Sequence, residues 1–340
     1  MYIGNRLKIS CIILWFFIAS CSGDRLDVDL SNTPQPKITV LRMDKDFFAI
    51  DTNQFSKSQQ AMIEKYREFY FNFLANIVNL GGSSDSIQVM IKNFIADKDI
   101  YNSYQEVQKQ YTEEKIKKIE TDLSTSFRYF NYHFPKAKTP KKFISFISGF
   151  NYNITPQDSV LGFGLEMYLG ENCKFYEMLQ WPKYKTRQMS SEYLVSDCMK
   201  GWIMFSFEEN EPVTNLLSYM IRMGKIYYAM DAVLREVPDS IKIGYTQEQM
   251  TYCEKYEKNV WAFFVQKERL FKTDMKELAD YSSEGPFTAA ISKDCPPRIA
   301  SWIGWQIVRS YMEKNDKVSL EELMNEKDNN RILNMSKYKP

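Results

Sequence analysis

The chain has 340 residues, 44% of them hydrophobic and 26% charged, which is the profile of a folded globular protein rather than a disordered or fibrous one. Its net charge of +1 provides no basic excess for holding a polyanion, so nucleic-acid binding is excluded as a main activity. Aromatic residues reach 15%, and that many rings are expected to fill a core or an interface, where their area leaves water.

The chain opens with the layout of a secretory leader. Arg6 and Lys8 precede the uncharged run from Cys11 to Ala19, and Ile18-Ala19-Ser20 leads into Cys21. A helix over that run covers only ~14 Å, about half of a ~30 Å hydrocarbon core, so a lasting span is not expected. Residues 1–20 are therefore expected to be removed. Ile18-Ala19-Ser20-Cys21 resembles the lipobox of bacterial lipoproteins, whose cysteine takes diacylglycerol on sulfur. Cys21 is then the expected lipidation site and membrane anchor, since two or three acyl chains hold durably at ~0.8 kcal/mol per buried methylene.

Residues 21–37, with few apolar side chains and with Pro34 and Pro36, are expected to form a flexible tether. The globular body is expected over residues 38–340, as one compact domain of the α+β class, predominantly helical with a small β-sheet. Ile38 to Leu41 is a short strand candidate. Ser56 and Gln59 fit a capping box for a helix running to Leu80, with Ile63, Tyr66, Tyr70, Phe73, Leu74 and Ile77 on one face and Gly81-Gly82 at its end. Asp85–Phe94 and Ile100–Tyr111 have weaker helical patterns. Thr112 caps a stronger helix, in which Ile116, Ile119, Leu123, Phe127 and Phe130 recur at helical spacing before Pro135.

Lys142–Phe150 and Ser159–Leu169 are rich in aromatic and β-branched residues and predict two strands. Gly162 and Gly164 lack the third glycine of a dinucleotide loop, so they predict close approach or a bulge inside a strand. Helices follow over Glu192–Phe207, Pro212–Leu234 and Thr246–Leu270, the last capped by Thr246 with Glu248 in its first turn. A further helix starts at Pro296 or Pro297, with Ile299, Trp302, Ile303, Ile307, Val308 and Tyr311 as its apolar stripe, and a short last one is capped by Ser319 with Glu322. Glu208, Glu209 and Glu211 predict a solvated turn.

Motifs for catalysis are missing from the chain. It contains no HExxH, GxSxG, phosphate loop or calcium loop, and its single histidine, His133, makes a zinc site or a Ser-His-Asp triad improbable. No cofactor or metal is expected. Two carboxylates alone can run a glycosidase, and Glu166, Glu192, Asp197 and Asp231 are the candidates. Glu166, on an apolar strand, needs a partner, and a structural ion pair is the simpler expectation. Cys173, Cys198, Cys253 and Cys295 show no CxxC spacing. They are expected as buried free thiols, with two disulfides in three possible pairings as the alternative.

Several long words of the sequence carry a family resemblance. Tyr245-Thr246-Gln247-Glu248-Gln249-Met250, Glu284-Gly285-Pro286-Phe287-Thr288, the run from Pro297 to Met312 and the closing Ser336-Lys337-Tyr338-Lys339-Pro340 resemble the GldB gliding-motility lipoproteins of Bacteroidetes. Leu41 to Phe48 and Gly162 to Gly170 agree, so the resemblance covers essentially the whole chain. Cys295-Pro296-Pro297 departs from the more usual Ser-Pro-Gly in that loop. The resemblance implies an envelope lipoprotein acting without catalysis, with membrane contact through acylated Cys21. Its implied partners are envelope proteins of a gliding or type IX secretion-linked assembly. Cys21 is followed by Ser22-Gly23-Asp24-Arg25, without the acidic run that resembles the surface-export tag of such lipoproteins, which points to the periplasmic side of the outer membrane.

The element order also resembles predicted zinc metallopeptidases, which implies a zincin-like fold that has lost its metal. The zinc helix would fall near Tyr193-Leu194-Val195-Ser196-Asp197, and a later acidic ligand near Met223-Gly224. A periplasmic hydrolase or peptide-binding module derived from such a peptidase is the alternative reading.

Overall fold

The computed structural model describes residues 24–81, 84–207 and 212–340. The leader, Cys21 and the acidic turn at Glu208, Glu209 and Glu211 lie outside the described residues.

A four-stranded sheet divides two cores. Its strands are β1 (Val40–Arg42), β2 (Lys142–Phe146), β3 (Ile154–Gln157) and β4 (Val160–Gly164), in the order β1-β2-β4-β3. β1, β2 and β4 run parallel and β3 is antiparallel to β4. The two strands expected from aromatic content therefore pair, in register Phe143 with Leu161. β3 has no counterpart in the sequence reading because Pro156 demotes the stretch; an edge strand tolerates that proline since one side of it needs no ladder donor. Beyond Gly164 the chain turns into a 3₁₀ segment, Leu165–Tyr168, so Glu166 does not lie on a strand. Gly162 accommodates Phe69: a Cβ there would lie 2.7 Å from the ring, which bears out the close approach.

On one side of the sheet lie α1 (Met43–Phe48), α2 (Phe55–Tyr66), α3 (Glu68–Asn72) and α4 (Ser84–Ala96), around Phe47, Tyr70, Phe73, Ile144 and Phe146. The single helix expected from Ser56 to Leu80 is broken at Arg67, whose φ of 52° interrupts the hydrogen-bond ladder, and Phe73–Ile77 forms a π turn. Ser56 does not cap it; α2 begins one residue earlier.

The larger core lies on the other side. It gathers α5 (Lys98–Gln110), α6 (Glu113–His133), the short α7 (Lys174–Met178) and α8 (Lys183–Thr186), then α9 (Leu194–Ser206) and α10 (Leu216–Val233). α11 (Asp239–Ile243), α12 (Gln247–Val265), α13 (Met275–Ser282), α14 (Ile299–Lys314), α15 (Leu320–Asn325) and α16 (Asn329–Ser336) complete it. Thr112, Thr246 and Ser319 cap their helices as expected, the last two as full capping boxes. The four cysteines among the described residues are free thiols, three of them buried. No helix among the described residues is long and apolar enough to cross a membrane.

α10 and α14 run side by side in the same direction: Tyr219 meets Ser301, Gly224 meets Gly304, and Asp231 meets Arg309. Nearly every residue of α10 is buried, which makes it the central post of the domain.

Residues 24–37, expected as a tether, are instead fastened to the body. Leu26 is buried, Asp24 pairs with Arg235 just past α10, and Arg128 donates to the carbonyls of Leu30 and Thr33 at 2.7 Å each. The Arg25 guanidinium donates to the carbonyls of Met312, Asn315, Asp316 and Val318, where α14 ends. Met312 O belongs to the last turn of α14, where carbonyls lack an intrahelical partner and carry the negative end of the helix dipole, so a cation there satisfies both needs. Polar composition alone suggested a free strand; docking of backbone carbonyls on arginines has no apolar signature. Arg25→Ala is expected to cost about 2 kcal/mol and to expose residues 24–33 to protease in limited digestion. An unchanged digestion pattern would count against the docking.

Candidate functional site

Each of the four candidate carboxylates has its own partners. Glu192 is exposed and accepts from Ser190 Oγ at 3.0 Å. Asp231, on α10, is a structural hub. It accepts from Lys242 Nζ at 2.8 Å, from Arg309 Nε and Nη2 at 2.8 and 2.9 Å, and from the Trp305 indole at 2.8 Å. Asp239 joins the same cluster by pairing with Arg309 at 2.7 Å and Lys242 at 3.2 Å.

Glu166 is wholly buried and pairs with no cation among the described residues, which corrects the expected ion pair. Its Oε1 accepts instead from Ser148 N and Ser148 Oγ, both at 2.6 Å, and from Phe150 N at 3.3 Å, while Oε2 has no hydrogen-bond partner among the described residues. Burial pushes its pKa up to about 7, against the opposing pull of those hydrogen bonds. An acid raised on folding favours its protonated form in the folded chain. Its contribution to stability is therefore full below about pH 4.5 and lost as pH rises to about 7. Glu166→Gln removes that loss and keeps the Oε1 acceptor. Its stability relative to the wild type is expected to climb across this window by about 3 kcal/mol. Denaturant unfolding at several pH values tests this, and a difference that stays flat from pH 4 to 8 would refute it.

Asp197 belongs to a polar site between α9, α10 and the start of α14. At its centre is Tyr227, whose ring stacks on Trp305 with centroids 5.1 Å apart. Its hydroxyl accepts from Lys200 Nζ at 3.0 Å and from Arg298 Nη1 at 3.3 Å. Burial by itself would raise the pKa of this phenol, but the two cations outweigh burial and hold it below its ordinary value. Arg298 is buried, with the left-handed φ of 54°, and it also donates to Ile243 O at 2.7 Å and pairs with Glu284 at 3.0 Å. Asp197 accepts from Tyr168 OH at 2.8 Å. Burial raises its pKa to about 6, with Lys200, the Tyr168 hydrogen bond and Arg298 pulling the other way.

A positive φ in a non-glycine residue costs roughly 1–2 kcal/mol, so the surrounding structure must hold Arg298 there. Tyr245 OH donates to Pro297 O at 2.5 Å and Thr288 Oγ1 to Pro296 O at 2.6 Å, fixing the two residues before it. The loop in which Cys295-Pro296-Pro297 departs from the family word is thus tied down by its carbonyls, and Cys295 itself is buried. Lys200, Tyr227, Glu284 and Arg298 were not singled out from sequence. The available signal was Lys200 and Tyr227 standing inside otherwise apolar helix faces.

The positions that the peptidase resemblance assigns to zinc do not fit the metal. Tyr193 and Asp197 offer one carboxylate between them, and it is engaged by Tyr168. Gly224 offers none: a Cβ there would lie 2.2 Å from the Gly304 carbonyl. Among the described residues no group of three or more His, Cys, Asp or Glu side chains could hold a metal ion. His133 is half-buried at the end of α6, its ring 5.0 Å from Tyr132. Burial first, and then Arg235 and Arg25, lower its pKa to about 4.

Residues 23–340 match the family described as gliding motility protein GldB. The chain belongs to the GldB family. Its family words coincide with its buried polar groups. The Leu41–Phe48 word holds Asp44, buried against Arg42 at 2.6 Å, Gln108 at 2.9 Å and Ser145 at 2.5 Å. The word ending at Gly170 holds Glu166, and the run from Pro297 to Met312 holds Arg298, Trp305 and Arg309. Neither a curated protein nor a solved structure matches the chain, so the expected zincin-like kinship draws no support there. As a GldB family member, the protein is a gliding-motility-associated lipoprotein of the cell envelope.

Proposed function

We propose that this GldB family member acts without catalysis, as an accessory of the gliding machinery and of the type IX secretion linked to it. It is anchored by acyl chains on Cys21 at the periplasmic side of the outer membrane. The family match over residues 23–340 carries the reading. The Tyr227 site supports it as well. Its cations and carboxylates are spent on one another and on backbone carbonyls, an arrangement that locks α9, α10 and α14 together.

Deleting the protein in its host is expected to abolish colony spreading or protein secretion, and a Cys21→Ala chain is expected to leave the membrane fraction and fail to restore either. Crosslinking of the lipidated protein is expected to recover envelope proteins of the motility assembly. Unchanged spreading and secretion in the deletion strain would end the proposal.

A further inference from the structure

The docked amino-terminal segment bears on how the body stands at its membrane, provided that Cys21 carries lipid as proposed above. Asp24 is already fixed by its pair with Arg235, and Arg25 by four carbonyls at the end of α14. Only the steps from residue 21 to residue 24 separate the acylated sulfur's own residue from this fixed point. Three such steps, at most ~3.6 Å each, reach about 11 Å. A free tether over residues 22–37 would reach ~50 Å at ~3.3 Å per residue, and the docking removes that reach.

α10 and α14 set the direction. They run in the same sense, and both end at the docked segment: Arg235 follows α10, and Met312 to Val318 close α14. Arg298 and Glu284 lie at the other end, since Arg298 immediately precedes α14 and Tyr219, near the start of α10, donates to Ser282 O beside Glu284. From Ile299 to Met312, at ~1.5 Å per residue, is about 20 Å along the helix. Glu284, the most exposed member of the site, is on the loop that follows α13.

We infer that the end of the molecule formed by Asp24, Arg235 and the last turn of α14 lies against the bilayer that holds the acyl chains, and that the Arg298–Glu284 end faces away from it. The depth of contact follows from charge. Lys314, Asp316 and Lys317 are exposed around the end of α14, and ionised side chains do not enter hydrocarbon, so contact stops at the headgroups.

The test uses the full lipidated chain, purified from membranes and reconstituted in phosphatidylethanolamine–phosphatidylglycerol vesicles that contain a nitroxide-headgroup lipid. Single fluorophores are placed through Asp316→Cys or Ser283→Cys in a Cys173→Ser background, because the other three described thiols are buried. Severalfold stronger quenching at position 316 than at position 283 is expected. A long Gly-Ser spacer inserted after Gly23 is expected to erase the difference. Equal or reversed quenching in a chain whose acylation is verified by fatty-acid labelling would overturn the orientation and leave the anchor standing. A difference that survives the spacer would overturn the claim that the short connection sets it. A chain that takes up no fatty acid would overturn the anchor and the orientation together.

Discussion

Asp231→Ala is expected to cost about 3–5 kcal/mol, enough to unfold a marginally stable domain at growth temperature. The carboxylate is nearly inaccessible, at 7% side-chain exposure, and Lys242 beside it is at 6%. Removing the acid leaves the Trp305 indole N–H without an acceptor in a fully buried position, a loss of about 1–3 kcal/mol in itself. Lys242 keeps only Asp239 at 3.2 Å, and Arg309 keeps Asp239 at 2.7 Å. Lys242, at 6% exposure, has little contact with water to compensate. Asp231→Asn retains both acceptor directions in part and is expected to cost less than half as much. Urea unfolding of the three proteins decides the matter. An alanine variant within about 1 kcal/mol of the wild type would mean that the cluster is bypassed by rearrangement.

Gly304→Ala is expected to destabilise the domain by at least about 3 kcal/mol, although alanine is the better helix former by about 1 kcal/mol. The added Cβ would lie 1.9 Å from the Met220 carbonyl oxygen and 2.5 Å from its carbon. Backbone of a buried helix blocks the space, and no rotamer change relieves it. α14 would have to move off α10, opening the Tyr227–Trp305 stack and the Asp231 cluster together. Gly201→Ala is the control. There the obstacle is Ile154 Cγ2 at 2.8 Å, a side-chain methyl on an edge strand, and a small shift suffices. Thermal unfolding of both variants is the measurement. Equal tolerance at the two positions would show that the α10–α14 crossing is not limited by these glycines.

Much of the helical framework was legible because it depends on neighbouring residues. Thr112, Thr246 and Ser319 cap the helices they were expected to cap, since a cap needs only its own first turn. The apolar stripe from Ile299 to Tyr311 gave α14 its buried face. Long-range contacts were not legible. The break at Arg67 violates no local pattern, and β3 was hidden by Pro156, which only an edge position permits. Ser148 and Glu166 are 18 residues apart, so nothing nearby announced that hydrogen bonds rather than a cation would hold the acid. Arg298, Lys200 and Glu284 come from three separate segments, and only the folded chain makes them one site.

The contact of Arg25 with the end of α14 spans a separation of 287 to 293 residues. Loop entropy rises only logarithmically with length, so the thermodynamic penalty of so long a closure is modest. Its kinetic consequence is larger, because a contact of such high order forms late. A polypeptide threaded across a membrane amino end first must wait for nearly its last helix before its beginning can settle. On the proposed anchoring at Cys21, acylation would then act before Asp24 and Arg25 have docked on the carboxyl-terminal part of the chain, so that modification precedes closure.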